Sequence, residues 1–365
     1  MSSLAAAIAP GYEEAGRSQD PFCAPLADEL TVLVPAYNEA GTIADTILSL
    51  QSQTTPPKRI IVIDDCSTDD TAAVALRMGA EVVRPASNTG SKAGAQTFGL
   101  HDIRTRYTMA IDADTVLAPD AIERLGAAFD DERVAAASGF ILPRFVRTVW
   151  ERGRYIEYLY SFTFHKPVQN YFDRPLISSG CFSMYRTDAL CSVGGWANRT
   201  LAEDMDLTWT LYERGWKVRF MPDACAYPIE PADWRFLSKQ LRRWSHGFVQ
   251  NVRLHWRGIL GLRYLRSVVA IASFDALVAP IVTLFVFPVL AATITPWILL
   301  AYVLDLPIVA IPVLVGGCRR RELGRALASL PAYVALRLAN CWFMFRAIVE
   351  EIGLNRHLDV YEKGH

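Results

Sequence analysis

The chain has 365 residues, of which 52% are hydrophobic and 21% are charged, and this composition excludes intrinsic disorder. Its 37 Lys and Arg residues against 38 Asp and Glu residues give a formal net charge of −1, which does not favour binding to nucleic acid. The seven cysteines are odd in number and widely spaced, which predicts neither a disulfide framework nor a zinc site.

Residues 1–29 are predicted to form a mobile tail, because the segment is rich in small and polar residues and interrupted by prolines. From Leu30 onward, short apolar runs alternate with helical patterns. The runs are 30–34, 59–63, 81–84, 107–111 and 134–139, and the helical patterns lie near 40–52, 69–78, 91–101 and 119–130. This alternation predicts a parallel α/β sheet, with Ser67 as the N-cap of the second helix. Ligands of such sheets bind at the carboxyl ends of the strands.

Polar and glycine residues follow four of these strands, where they are expected to share one edge of the sheet. They are VPAYNE (34–39), DDCSTDDT (64–71), the set Asn88, Gly90 and Lys92, and the pair Asp112 and Asp114. Residues 69–71 are interpreted as ordinary helix caps. The carboxylates of Asp112 and Asp114 are expected to hold Mg²⁺ or Mn²⁺, which would bridge a diphosphate.

Two further motifs lie beyond the strand pattern. Glu203 and Asp204 open an amphipathic helix, where a carboxylate can act as a general base, although the helix dipole alone also favours acids there. Gln240, Arg243 and Trp244 lie on a basic helical stretch, for which an interfacial helix at headgroup level is an equal alternative.

Past Asp233 the chain becomes basic and then strongly apolar. The segments 267–287 and 292–315 are close to the length that a bilayer demands and have basic flanks at their outer ends. They predict a helical hairpin with both ends in the cytoplasm. The alternative is a pair of buried helices in a large soluble core.

A third apolar segment, 327–348, carries Arg337 near its middle. It could either span the membrane or lie in the membrane interface with its basic side chains reaching the headgroups. Within the hairpin, Asp275 and Asp305 would be costly in lipid and are expected to pair with arginine or to line a polar path.

The ordered set VPAYNE, DDCSTDDT, NTGSK (88–92), DAD (112–114), AED (202–204) and QLRRW (240–244) resembles the membrane-associated family 2 inverting glycosyltransferases. Within this family the chain is most similar to the synthases of β-linked polysaccharides, namely hyaluronan, chitin, poly-N-acetylglucosamine and cellulose. The resemblance covers residues 30–250 by motif. It implies an α/β, GT-A-type nucleotide-diphospho-sugar transferase domain followed by C-terminal transmembrane helices.

The domains expected on this basis follow one another along the chain. They are a mobile tail (1–29), the GT-A-type catalytic domain (30–232), basic interfacial helices with the Q-x-x-R-W motif (233–266), a transmembrane hairpin (267–315), and a final part with a basic loop, the third apolar helix and a tail (316–365).

The resemblance also implies a role for each motif. The residues implied for the donor nucleotide are Pro35, Tyr37, Glu39, Asp65, Lys92 and Asp112. Asp114, together with Asp112, is implied as the ligand of Mg²⁺ or Mn²⁺, and Asp204 as the catalytic base. The residues implied for the acceptor and the diphosphate are Glu203, Gln240, Arg243 and Trp244, whose indole would stack on the acceptor.

The implied function is membrane-bound, inverting transfer of a hexose or N-acetylhexosamine from a UDP-sugar to a growing β-linked polysaccharide. Single-sugar transfer to a lipid or lipid-linked acceptor remains an alternative, because two or three spans are few for a polymer channel. A non-catalytic membrane scaffold is a further alternative, which the presence of Asp112, Asp114, Asp204 and Trp244 argues against.

The implied partners are the nucleotide-sugar donor, a glycan or lipid acceptor, membrane lipids, and a homo-oligomer or membrane partner, with no nucleic acid. The chain is expected to be an integral membrane protein whose catalytic domain lies on the cytoplasmic side.

Overall fold

A computed structural model of the chain describes residues 23–304 and 306–358. Most of the predicted mobile tail (1–22) and Asp305 therefore lie outside the described residues. The catalytic part is built on a mixed eight-stranded sheet with the order β3-β2-β1-β4-β7-β6-β8-β5. Its strands are β1 (Leu30–Ala36), β2 (Arg59–Asp64), β3 (Glu81–Val83), β4 (Tyr107–Ile111), β5 (Val116–Leu117), β6 (Val134–Ile141), β7 (Phe182–Arg186) and β8 (Lys217–Tyr227).

The predicted parallel arrangement is confirmed for the first four strands. β1 pairs in parallel with β2 and β4, and β2 pairs in parallel with β3. β7 departs from the prediction, because it runs antiparallel to both β4 and β6. Since β7 is antiparallel to β4, the beginning of β7 lies beside the end of β4, with Phe182 opposite Ile111. This reversal brings the loop before β7 to the ligand-binding edge of the sheet.

Most residues of the strands are apolar because both faces of the sheet are covered by helices. Val32 and Val34 of β1 belong to one buried cluster, whereas Leu33 belongs to a second cluster on the other face. This division follows from the two-residue period of a strand. The helices of this part are α1 (Cys23–Asp28), α2 (Ile43–Gln51), α3 (Thr71–Arg77), α4 (Lys92–Leu100), α5 (Ala121–Gly126), α6 (Val149–Tyr160), α7 (Lys166–Tyr171), α8 (Thr187–Ser192) and α9 (Glu203–Glu213).

The prediction that Ser67 caps the second helix is wrong. α3 begins at Thr71, whose backbone amide donates a hydrogen bond of 3.0 Å to the carboxylate of Asp69. The hydroxyl of Ser67 instead accepts a hydrogen bond of 3.0 Å from the backbone amide of Asn38. Ser67 therefore joins the loops after β1 and β2 and does not begin a helix.

The C-terminal part is helical. Its helices are α10 (Trp234–Gly261), α11 (Arg263–Ile281), α12 (Phe287–Thr293), α13 (Leu306–Arg319) and α14 (Leu323–Ile348). Three segments are long and apolar enough to cross a membrane, namely Leu265–Thr293, Pro296–Arg319 and Leu323–Gly353. In the first two, only 11% and 12% of the most apolar stretch is buried within the protein. This exposure rules out the alternative of two helices buried in a soluble core.

The third apolar segment contacts the catalytic part at both ends. At its start, the hydroxyl of Tyr155 on α6 donates a hydrogen bond of 2.9 Å to Glu322. At its end, Nδ1 of His246 on α10 lies 2.9 Å from a carboxylate oxygen of Glu351, which is fully buried. α14 therefore packs along α6 and α10 over its whole length.

The arginine pairing expected for Asp275 is not seen, since this exposed residue of α11 takes part in none of the ion pairs among the described residues. Arg337 instead donates a hydrogen bond of 2.6 Å to the carbonyl oxygen of Tyr302, which joins α14 to the second apolar segment.

Candidate active site

A pocket of about 400 Å³ lies at the carboxyl edge of the sheet. It is lined by residues that follow β1, β2, β4 and β8, because strands of the same direction end at the same edge. All of the residues implied for the nucleotide, the metal and the acceptor line this pocket except Glu203 and Asp204. They are Pro35, Tyr37, Glu39, Asp65, Lys92, Asp112, Asp114, Gln240, Arg243 and Trp244.

The loops after β1 and β2 are locked together beside the pocket. Asn38 and Cys66 adopt left-handed backbone conformations, with φ of 56° and 64°. The side-chain oxygen of Asn38 accepts a hydrogen bond of 2.8 Å from the backbone amide of Thr68. Because asparagine tolerates this conformation better than most residues, it suits this turn. The arrangement leaves the Tyr37 ring 37% exposed at the pocket wall, where a planar base could stack on it.

The buried carboxylate of Asp65 is held by the loop after β3. The backbone amide and the hydroxyl of Thr89 donate hydrogen bonds of 2.7 Å and 2.9 Å to its two oxygens. Gly90 follows with φ of 80°, a conformation that only glycine adopts without strain, and it also lines the pocket. Asp65 therefore fixes the loop that leads into α4 and Lys92.

Lys92 is the cation at the centre of the pocket. Its Nζ forms an ion pair with Asp112, donates a hydrogen bond of 3.0 Å to the carbonyl oxygen of Gly180, and lies 4.0 Å from a carboxylate oxygen of Glu203. In this arrangement the positive charge of Lys92 partly balances the negative charges of Asp112 and Glu203. It is also within reach of any anionic group that enters the pocket.

Asp112 and Asp114 supply the donor atoms that a divalent cation would need. The described residues contain no group of three or more His, Cys, Asp or Glu residues that could hold a metal ion. Carboxylate oxygens suit Mg²⁺ and Mn²⁺, and Mg²⁺ is commonly held by one or two carboxylates together with the phosphates of a substrate. These two residues therefore fit a cation that is shared with a diphosphate, and they do not form a closed protein cage.

Asp204 lies in the first turn of α9, and like Lys92 it contacts the backbone of Gly180. One of its carboxylate oxygens, Oδ2, accepts a hydrogen bond of 2.8 Å from the backbone amide of Gly180, and the other accepts one of 2.9 Å from the amide of Met205. A Cβ atom at position 180 would lie 3.0 Å from Oδ2 of Asp204 and 3.3 Å from Nζ of Lys92. Glycine at this position therefore allows the carboxylate and the lysine to approach one another.

Glu203 does not reach the pocket wall. It is 6% exposed, and burial together with the neighbouring Asp204 raises its pKa. Its carboxylate points toward Lys92 from behind. Neither Glu203 nor Asp204 lines the pocket: Glu203 lies beside Lys92, whereas Asp204 lies beside Gly180, whose neighbour Cys181 does line it.

The Q-x-x-R-W residues lie on one face of α10, as the spacing i, i+3, i+4 requires. The helix begins at Trp234, after the carboxylate of Asp233 accepts a hydrogen bond of 2.9 Å from the amide of Phe236. Gln240, Arg243 and Trp244 line the pocket together with the loops after β1 and β2.

Several residues of the pocket were not predicted from the sequence. They include Tyr158, Glu230 and Phe236. Glu230 follows β8, at the same sheet edge as the predicted strand ends. Had β8 been identified in the sequence, the rule that ligands bind at the carboxyl ends of strands would have pointed to Glu230. Tyr158 lies on α6, which the sequence pattern presents only as an aromatic run, so no local signal marks it.

A buried lysine supports the loop that holds Gly180. Lys166 on α7 is 5% exposed, and its Nζ donates a hydrogen bond of 2.5 Å to the carbonyl oxygen of Ile177 and lies 3.4 Å from the hydroxyl of Ser179. Burial lowers the pKa of Lys166 to about 8, against the opposing effect of the Asp204 charge. The sequence gives no signal for this residue, because its burial results from the packing of α7 on the sheet.

Comparisons with known proteins agree with this geometry. Residues 107–307 match the model of Glycosyl transferase family group 2. Poly-β-1,6-N-acetyl-D-glucosamine synthase of Staphylococcus aureus (strain MSSA476) is 29% identical over 223 residues, which are 60% of this chain and 54% of that protein. The synthase of the same name from Staphylococcus epidermidis has the same identity and coverage. The chain thus spans about half the length of the curated relatives it matches.

Among solved structures, mannosyltransferase PcManGT from Pyrobaculum calidifontis in complex with GDP-Man and Mn²⁺ is similar to the chain, with a TM-score of 0.58. The identity is 18%, and the alignment covers 90% of this chain and 88% of that one. At this identity the likeness shows the fold alone, which is of the GT-A type, as expected. Since the family model covers more than half of the chain, the protein belongs to glycosyl transferase family group 2.

Proposed function

We propose that the chain is a membrane-bound, inverting glycosyltransferase that moves a hexose or N-acetylhexosamine from a UDP-sugar to a growing β-linked polysaccharide. The observation that carries this proposal is the pocket itself, which brings the loops after β1, β2 and β4 together with Lys92, Gln240, Arg243 and Trp244. The similarity to poly-β-1,6-N-acetyl-D-glucosamine synthases supports the polymeric product and favours N-acetylglucosamine as the sugar.

Asp204 is the group to which we assign the base. The hydroxyl of an acceptor sugar has a pKa far above 7, so it needs a carboxylate within hydrogen-bond reach as attack begins. The amides of Gly180 and Met205 fix the orientation of Asp204. A single displacement assisted by one base inverts the anomeric centre, so an α-linked donor gives a β-linkage.

Lys92 and Arg243 are the cations that we assign to the departing diphosphate, since both line the pocket. Fixed positive charges act strongly in a site that excludes water, because they need no reorganisation when the leaving group departs. A Mg²⁺ or Mn²⁺ ion held by Asp114 and Asp112 would add positive charge beside the same diphosphate.

We also propose that the catalytic domain lies on the cytoplasmic side. The supporting observation is the basic sequence that follows the second apolar segment, with Arg319, Arg320 and Arg321 in succession. Enclosing a polymer takes more membrane helices than the described residues hold, so a homo-oligomer or a membrane partner is part of the proposal.

The test is release of nucleoside diphosphate by membranes that contain the full chain, with a panel of UDP-, GDP- and dTDP-sugars and with Mn²⁺, Mg²⁺ or EDTA. We expect release from one UDP-sugar, its loss in EDTA, and a product of many β-linked units. Release from a GDP-sugar would overturn the donor assignment, and a glycolipid with one added sugar would favour the lipid alternative. No release from any donor would overturn the proposed activity.

A further inference from the structure

We propose that Arg154 is a positioning residue that holds the acceptor side of the pocket in its working arrangement. The inference rests on the proposed function, because it concerns the same pocket. Arg154 lies on α6, is 1% exposed and does not line the pocket. It therefore acts through the residues that it contacts.

The guanidinium of Arg154 is engaged on its edges and on one face. Its Nη2 donates a hydrogen bond of 2.6 Å to the side-chain oxygen of Gln240, and its Nη1 donates one to Glu157. Its Nε lies 3.4 Å from a carboxylate oxygen of Glu230, and its central carbon lies 4.2 Å from the centre of the Trp244 ring. A planar fork with several donors can make these contacts together, whereas the ammonium of lysine cannot.

Three of the partners of Arg154 form the acceptor side of the pocket. Gln240, Glu230 and Trp244 all line it. The side-chain oxygen of Gln240 is thus held by Arg154. The Trp244 ring is held by the guanidinium above it, which leaves less freedom for the indole to tilt. Arg154 thereby fixes the surface on which an acceptor sugar would lie.

The same guanidinium connects this surface to the third apolar helix. Glu157 accepts a hydrogen bond of 2.7 Å from the side-chain amide of Asn340 on α14. One turn earlier on α6, a Cβ atom at Gly153 would lie 2.9 Å from Leu336, which shows how closely the two helices pack. Asn340, Glu157, Arg154 and Gln240 thus form a continuous polar chain from α14 to the pocket.

A matched control is available in Arg186, a second buried arginine of the catalytic part. It is 6% exposed and donates hydrogen bonds to the carbonyl oxygens of Val134 (2.9 Å) and Phe129 (3.3 Å). It pairs with Tyr107 at the beginning of β4, which is the sheet edge opposite the pocket. Its replacement should affect stability alone.

The experiment compares Arg154→Lys with Arg186→Lys in the detergent-solubilised full chain. We measure UDP affinity, the kcat and acceptor KM of sugar transfer, and the Tm. For Arg154→Lys we expect a fall in kcat/KM for the acceptor of about 10- to 100-fold, the effect of a small misplacement in an active site, with UDP affinity unchanged. For Arg186→Lys we expect a lower Tm and unchanged transfer. Two results would overturn the inference: sugar transfer by Arg154→Lys at the wild-type rate, or a loss of UDP affinity as large as the loss of acceptor kcat/KM.

A second variant covers the case in which Arg154→Lys does not fold. Glu157→Gln removes the charge from one partner of the guanidinium and leaves the pocket residues in place. We expect the same pattern with a smaller loss, in which acceptor kcat/KM falls and UDP affinity is retained. An unchanged acceptor kcat/KM in this variant would count against the positioning role.

A readout that needs no turnover separates this inference from the proposed function. Arg154→Met is made in the wild-type chain and in a Trp244→Phe chain, and quenching of tryptophan emission by acrylamide is measured in each. We expect stronger quenching only where Trp244 is present. If the wild type releases no diphosphate from any donor, the proposed function fails. The quenching comparison then decides by itself whether Arg154 positions Trp244. Equal changes in the two backgrounds, or none, would overturn the inference.

Discussion

The backbone amide of Gly180 donates a hydrogen bond of 2.8 Å to Oδ2 of Asp204. The carbonyl oxygen of the same residue accepts a hydrogen bond of 3.0 Å from Lys92. One residue in the loop before β7 therefore sets both the proposed base and the cation at the centre of the pocket. The antiparallel course of β7 makes this possible, because it places the loop at the carboxyl edge of the sheet.

Replacing Gly180 by alanine should slow sugar transfer, because a side chain there would crowd both Asp204 and Lys92. The new Cβ would lie 3.0 Å from Oδ2 of Asp204, so the carboxylate must shift away from its present position. We expect kcat to fall about tenfold or more, since a displaced general base loses much of its effect. Gly324→Ala is the control, because a Cβ there meets no atom within 4 Å. Equal kcat values for the two variants would contradict the assignment.

Asp114→Asn should remove the effect of Mn²⁺ on nucleotide binding. The amide is a weaker ligand for a hard cation than the carboxylate, and Asp112 is partly engaged by Lys92. In the wild type we expect UDP to bind more tightly with Mn²⁺ than with EDTA, as measured by calorimetry. In the variant the two affinities should be equal. An enhancement by Mn²⁺ that survives in Asp114→Asn would refute the metal assignment.

Lys166 should make the chain more stable as the pH rises above about 8. Burial lowers its pKa to about 8 from the usual 10.5, so between these values the folded state has lost a proton that the unfolded state still binds. Stability rises with pH wherever the unfolded state binds more protons. The Tm of the wild type, relative to that of Lys166→Met, should therefore increase from about pH 7 to about pH 10. A difference that is the same at both pH values would show that Lys166 does not titrate in this way.

The third apolar helix should lie along the catalytic domain, with both of its ends on one side of the membrane. The segment Leu323–Gly353 has 31 residues, about 46 Å of helix, and both ends contact α6 or α10. Single cysteines at Arg321 and Asn355, in a chain whose native cysteines are replaced by serine, should react with an impermeant thiol reagent from the same side. Labelling from opposite sides would show that the segment crosses.

The sequence predicts well which residues after the first strands meet in one pocket. Asp65, Lys92, Asp112 and Asp114 follow strands whose continuous apolar runs are easy to recognise, and parallel strands necessarily bring such ends together. The bounds of β4 agree with the prediction at both ends, and β1 and β6 extend two residues beyond it.

The other half of the site depends on packing between segments distant in sequence. Arg154 approaches Trp244 because α6 and α10 both pack against α14, and Glu230 reaches Arg154 from the segment after β8. β7 is buried over its whole length, but it contains Ser183 and Arg186. Because of these two residues, its short sequence does not look like an apolar strand. The antiparallel direction of β7 decides where Gly180 lies. This direction is set by the topology of the whole sheet, and no local sequence pattern indicates it.

The assignment of Asp204 as the catalytic base is tested most directly by Asp204→Asn, with Asp188→Asn as the matched control. Asp188 also lies in the first turn of a helix, but it is exposed and follows the end of β7, at the sheet edge opposite the pocket. With the donor that the wild type uses, we predict that Asp204→Asn loses about 100-fold or more of its kcat, the usual contribution of a general base. UDP affinity should be retained, and Asp188→Asn should match the wild type. Transfer by Asp204→Asn at the wild-type rate would contradict the mechanism.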